Sequence, residues 1–163
     1  MLVSSMVPNN FVGPIWSQVE PLLTKLIDRS HERFESIDVL HDLLINKQQL
    51  WIVWDTEEDY KIVAMLTTEV FRYPRKNYLV AQNCAGTRMK EWFDDIYENI
   101  TEYAKSINCD GVEIIGRRGW ISNFKKKDWK EEFVIMSKEF KKKKAQKTDL
   151  KVVNKEIKNG WWS

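Results

Sequence analysis

Apolar positions along the chain change their period several times, and each change marks an element. Residues 2–7 form a short β-like run, and Pro8, Asn9 and Asn10 turn out of it. Ile15, Trp16, Val19, Leu22, Leu23, Leu26 and Ile27 then recur at about 3.6 residues per turn, which predicts a helix that Pro21 either kinks or restarts. Ser36 is placed to cap a second, shorter helix with Ile37, Leu40, Leu43 and Leu44 on its apolar side. From Leu50 the texture becomes β-rich. Strands are predicted at residues 50–54, 61–71 and 78–84, separated by a polar turn at 55–59 and a basic turn of Arg72, Tyr73, Pro74, Arg75 and Lys76.

Met89, Trp92, Phe93, Ile96, Tyr97, Ile100, Tyr103, Ala104 and Ile107 repeat at three and four, so a long amphipathic helix follows. Beyond a turn at 108–111, residues 112–115 read as a short strand buried on both faces. A short helix over 117–124 and a last strand over 133–140 complete the pattern. The order is strand, helices, three strands, long helix, strand, short helix, strand. That is an α/β chain with a mixed sheet, because a strand–helix–strand unit makes its two strands parallel.

Charge divides the 163 residues into two parts. Residues 141–163 hold eight lysines against Asp149 and Glu156, a local net of +6, whereas residues 1–140 carry a net of −4. The overall +2 is therefore a poor guide to partners. The expected organisation is one domain over 1–140 and a basic tail over 141–163. In that tail Leu150, Val153, Ile157 and Trp161 recur at helical spacing before Trp162, a stripe suited to docking on another surface. Its lysines could also touch nucleic acid without reading sequence.

Cys84 and Cys109 have neither disulfide nor metal spacing, and His31 and His41 are isolated. No apolar run is long enough to cross a bilayer, and the N-terminus lacks the pattern of a signal peptide. These features point to a reducing cytoplasm, or to a particle assembled in one.

Several segments carry a resemblance. The phrase Cys109-Asp110-Gly111-Val112-Glu113-Ile114, followed by Gly116-Arg117-Arg118-Gly119-Trp120, is its most specific part. The stretch from Trp16 to Leu23, Asp38-Val39-Leu40, the run Leu50-Trp51-Ile52-Val53, the turn Tyr73-Pro74-Arg75-Lys76 and the stretch from Gly86 to Trp92 belong with it. Over roughly residues 12–140 the chain resembles a GNAT-like, acyltransferase-fold family encoded by tailed bacteriophages. The resemblance implies a central mixed sheet with the long helix after its fourth strand. It also implies that the loop before that helix holds the pyrophosphate of acetyl-CoA, through backbone N–H groups and the helix dipole.

The matching loop contains Cys84, Gly86, Thr87 and Arg88, and offers one glycine, one hydroxyl and one cation where the family's pattern is Gln/Arg-x-x-Gly-x-Gly/Ala. It reads either as a weakened cofactor site or as an ordinary helix start. Near Phe124 the family places a tyrosine that protonates the departing thiolate, and phenylalanine has no such proton. Glu113 and Glu69 are the candidate bases, Glu113 having salt-bridge formation with Arg117 or Arg118 as its bland alternative. Arg72, Arg75 and Lys76 with Arg117 and Arg118 are expected as one basic patch, with Trp120 beside it as core or interface anchor.

Two functions follow as expectations. The first is a non-catalytic virion or assembly component, bound through its tail to other phage proteins or to its own copies, with no cofactor and no metal. The alternative is an acyl-CoA-dependent N-acetyltransferase with an open cleft between the strands at 78–84 and 112–115, acting on a protein or a small amine.

Overall fold

A computed structural model describes residues 1–141. They fall into two compact units, Met1–Ile121 and a second that begins at Ser122. The first unit runs β1 (Leu2–Met6), α1 (Asn9–Ile27), α2 (Ser36–Leu44), β2 (Gln48–Asp55), β3 (Lys61–Arg72), β4 (Asn77–Gly86), α3 (Met89–Ser106) and β5 (Gly111–Ile114), then a 3-10 turn at Arg118–Trp120. A last short helix, α4 (Ile121–Lys125), spans the junction in sequence.

The five strands lie in sequence order, β1 to β4 antiparallel and β5 parallel to β4. The parallel step is the one that the intervening helix α3 makes necessary, since two parallel strands need a crossover between them. The chain reaches this architecture because its strands carry two different apolar faces. Trp51, Val53, Leu66, Leu79 and Ala81 pack with Trp92, Ile96, Ile100 and Ala104 of α3. Leu50 and Met65 project to the other side and pack with Val12, Trp16, Val19 and Leu23 of α1 and Val39 and Leu43 of α2. Each fully buried aliphatic side chain of this kind contributes about 1.5–3 kcal/mol.

Buried polar groups are paired within these layers. Trp51 Nε1 donates to Thr68 Oγ1 at 3.0 Å, which donates to Gln49 Oε1 at 2.9 Å. Asn83 Nδ2 donates to Thr67 Oγ1 at 2.9 Å on the α1/α2 face. Two bulges interrupt the ladders, one opposite Val53 and Trp54 of β2 and one in β4, where Thr67 pairs with Asn83 but Thr68 pairs with Ala81. Gln82 is therefore the extra residue of β4, and such insertions bend a strand and strengthen its twist.

The structure corrects the sequence reading at four places. Pro21 does not restart the helix, since α1 runs on through it and also contains Pro14. Glu35, rather than Ser36, caps α2, through a reciprocal capping box with Asp38. Residues 112–115 are half-buried or exposed instead of buried on both faces. Residues 133–140 form no strand; Phe133, Val134, Ile135, Met136 and Phe140 are exposed there. The docking stripe of the tail, with Ile157, Trp161 and Trp162, lies outside the described residues.

Candidate functional site

β4 and β5 are paired only over half of β4. The register runs from Tyr78 with Gly111 to Ala81 with Ile114, and Ile115 N–H closes it on Ala81 C=O at 3.0 Å. Residues 82–86 continue along β3 without a β5 partner, and α3 begins three residues after Gly86. The strands part at the Gln82 bulge, and the open edge of β4 leads toward the start of α3.

Two carboxylates mark the same region on the α1/α2 face. Gln48 pairs with Glu69, Glu69 with Val80, and Val80 with Glu113, so these four residues form one row across β2, β3, β4 and β5. Paired residues project side by side from one face. Glu69 and Glu113 thus stand two strands apart, about 9–10 Å at their backbones, with the fully buried Val80 between them. Gln82 Nε2 donates to Glu69 Oε2 at 2.9 Å. Tyr73 O–H donates to Glu113 Oε2 at 3.2 Å, and burial, with the Glu113 charge second, raises the Tyr73 hydroxyl above its ordinary value. Both glutamates are half-buried. The expected partner of Glu113 is thus replaced: no ion pair among the described residues joins it to Arg117 or Arg118.

The loop at the start of α3 is dominated by charge. Arg88 takes the left-handed conformation, φ 58°, and no side chain caps the first turn of α3. Its Nη1 lies 2.6 Å from Asp55 Oδ2, its Nη2 2.8 Å from Glu91 Oε2 and its Nε 3.0 Å from Glu91 Oε1. The Arg88 guanidinium, the Glu57 backbone N–H and the Met1 amino group hold the Asp55 carboxyl well below the usual carboxylate range. Arg88 likewise lowers Glu91, and Glu91 and Asp55 raise Arg88.

Gly86 serves the strand rather than the loop. At φ +155° a side chain there would be strained, and its Cβ would collide with Ala64 of β3. Thr87 N–H donates to Val63 C=O at 3.0 Å, and Thr87 C=O accepts from Trp92 Nε1 at 2.7 Å. Cys84 does not join the site. It packs against the α3 side of the sheet, where burial pushes its thiol up to about 12.

The basic residues are not gathered into one patch. Arg72, Arg75 and Lys76 surround the turn that enters β4, closed by Tyr73 N–H on Lys76 C=O at 2.8 Å. Because β4 and β5 are parallel, that turn lies at the beginning of β5, whereas Arg117 and Arg118 follow its end. Trp120 is half-buried and its ring approaches Gly116, where an added Cβ would meet it at 3.3 Å. In the second unit Phe124 is buried and its ring centroid lies 4.7 Å from that of Trp129.

Gln48, Tyr73, Gln82, Asp55 and Glu91 belong to the site but were not singled out from the sequence. Glu91 could have been, since three residues on a helix separate it from Arg88. The others depend on strand register, which no local pattern shows. Among the described residues no cluster of His, Cys, Asp and Glu could hold a metal ion, and no helix is long and apolar enough to cross a membrane.

An acyl-CoA requires donors for its diphosphate, a partner for its amide-bearing arm and positive charge. The uncapped amides of α3 fit a diphosphate, and the open edge of β4 fits an extended arm bearing amides. Arg88 is the loop's one cation, and it must leave Asp55 or Glu91 to reach a phosphate. The fit is therefore good in backbone and conditional in charge.

No protein-family profile matches the chain, and no curated protein matches it. Solved structures do. A predicted acetyltransferase from Clostridium acetobutylicum, determined with acetyl-CoA, is 15% identical with a TM-score of 0.61, covering 84% of this chain and 96% of that one. An aminoglycoside acetyltransferase from an uncultured soil metagenomic sample, determined with sisomicin, is 16% identical with a TM-score of 0.62, covering 86% and 97%. Glucosamine-6-phosphate N-acetyltransferase from Arabidopsis thaliana is 16% identical with a TM-score of 0.58, covering 86% and 99%. The curled five-stranded mixed sheet, with α3 between its parallel pair, is the GNAT acetyltransferase fold.

Proposed function

We propose that this chain is an acyl-CoA-dependent N-acetyltransferase, the parting of β4 from β5 beside a carboxylate being the observation that carries the reading. The open edge at residues 82–86 and the uncapped start of α3 would hold the acyl-CoA, which supplies an acyl group on a thioester. Glu113 sits one residue before the last β4–β5 pair, next to the place where the strands separate. Its carboxylate would take the proton from the attacking ammonium nitrogen, and Tyr73 orients that carboxylate. Glu69, across Val80, is the second carboxylate of the same face. Phe124 contributes no proton, so the departing thiolate would be protonated by solvent. The fold shared with named acetyltransferases supports this reading over a purely structural one.

A second reading, a non-catalytic binding component such as a virion or assembly protein, draws on the engagement of Arg88 by two carboxylates and on Phe124. Titration calorimetry with acetyl-CoA separates the two. Binding at micromolar strength, weakened in Arg88→Glu, is the expected outcome; no heat up to millimolar ligand would overturn the enzyme reading and leave the binding protein.

A further inference from the structure

The row on the α1/α2 face has more acceptors than donors. Gln82 gives its amide to Glu69, and Tyr73 gives its hydroxyl to Glu113. Lys47, a cation whose charge reaches Glu69, is itself held by Asp42 at 3.1 Å. Glu69 and Glu113 each keep a second carboxylate oxygen outside these bonds. Gln48, only 8% exposed, donates its amide to Asp42 at 3.2 Å, yet its Oε1 is buried with no hydrogen-bond partner. That oxygen is the one buried side-chain polar atom left unsatisfied among the described residues. Gln48 pairs with Glu69, so the two side chains project together. A buried acceptor left unpaired is costly, and it sits beside an anionic group with spare capacity. What both lack is a ligand rich in N–H donors and in positive charge.

We infer that the acceptor of this site is a linear amine carrying at least two ammonium groups, spread along the row from Gln48 and Glu69 to Glu113. The inference rests on the acyl-transfer reading for its chemistry, although the cation site can exist without it. One ammonium group lies against Glu69 and Gln48 Oε1 and anchors the molecule. The other lies against Glu113, beside the gap between β4 and β5, and loses its proton to that carboxylate. The freed nitrogen forms a bond to the acyl carbon and gives up its second proton to solvent, the carbon–sulfur bond breaks, and the thiolate leaves with that electron pair and takes a proton from solvent. The row excludes acceptors that present a phosphate or carboxylate near the amine, because Glu69 and Glu113 would both repel them.

Spermidine and butylamine are the probes, a trication and a monocation that matches only its four-carbon arm. Calorimetry on the full chain is expected to show spermidine binding at least about tenfold more tightly than butylamine. Glu69→Gln and Gln48→Leu are each expected to weaken spermidine about tenfold, the effect of losing one charge-assisted hydrogen bond. Circular dichroism confirms that each variant is folded, and either variant suffices if the other is not. Equal affinities for the two amines, spermidine binding unchanged in the folded variants, or no heat with either amine would overturn the inference. The acyl-transfer reading fails separately: spermidine bound but never acetylated removes the reaction and leaves the cation site. Acetylation of a lysine peptide without preference for spermidine leaves the reaction and removes this acceptor.

Discussion

Arg88 Nη1 lies 2.6 Å from Asp55 Oδ2, an ion pair that ties the start of α3 to the end of β2. The Asp55 side chain is only 4% exposed, while the Arg88 side chain remains 36% exposed. Asp55 is thus the fixed partner and Arg88 the accessible one, whose remaining nitrogens turn outward to Glu91. The same arginine serves two ends. It fastens the loop, and it is the loop's one cation for a phosphate.

Asp55→Asn should lower the urea midpoint at neutral pH. The folded carboxyl is held below its unfolded value of about 3.9, so its contribution is complete above that value and is lost as pH falls through the folded one. Glu91, also lowered, behaves in the same sense. The gap between wild type and variant should be wide at pH 7 and narrower at pH 3. A gap that widens on acidification would contradict the assignment.

Glu91→Gln should tighten binding of coenzyme A. Glu91 is exposed and takes two of the three guanidinium nitrogens, so neutralising it frees Arg88 and removes a repulsive charge beside the α3 amides. A titration of wild type and variant at low salt measures the effect. Unchanged or weaker binding would mean that Arg88 does not reach the phosphates.

Glu113→Gln should reduce acetyl transfer by about 10²–10⁴-fold with little change in acetyl-CoA affinity, as expected on loss of a general base. Tyr73→Phe should give a smaller loss, since it removes only the hydroxyl that orients Glu113. Steady-state kinetics with thiol detection distinguishes them. A fall in Glu69→Gln but not in Glu113→Gln would exchange the roles of the two glutamates.

Leu79→Ala should cost about 2–5 kcal/mol, because Leu79 is fully buried between β4 and α3 and leaves a cavity. Phe11→Ala, at a half-exposed ring, should cost far less. Chemical denaturation of both variants checks the pair.

Cys84 should resist a disulfide reagent at pH 8 in the folded protein and react once the chain is unfolded. Burial pushes its thiol to about 12, so little thiolate forms. Rapid labelling of Cys84 in the native state would contradict its place in the core against α3.

The parts legible in the sequence were those set by local period. The apolar stripe of α3 and the β-rich runs of β2, β3 and β4 gave element type and near-correct limits, because each buries a side of itself. Residues 133–140 misled for the same reason: their apolar composition suits a strand, but composition supplies no partner, and these side chains are exposed. In the site, Glu69 and Glu113 are each legible only singly, as carboxylates within apolar strands. That they share a row through Val80 depends on two registers joining residues far apart in sequence, which no window contains. Asp55 was hidden from view in the same way, 33 residues from Arg88.

The bulge in β4 has a consequence for insertions and deletions. Ala81 faces α3, Gln82 and Asn83 both face α1 and α2, and Cys84 faces α3 again. If Gln82 were deleted, Ala81, Asn83 and Cys84 would alternate as in a regular strand, and every core side chain would keep its side. The bulge residue is thus surplus to the core and can be edited without reversing the strand beyond it. Where one more residue usually inverts a strand, this one leaves the inside and outside of β4 as they were, and gives the sheet a side chain that serves Glu69 instead of the core.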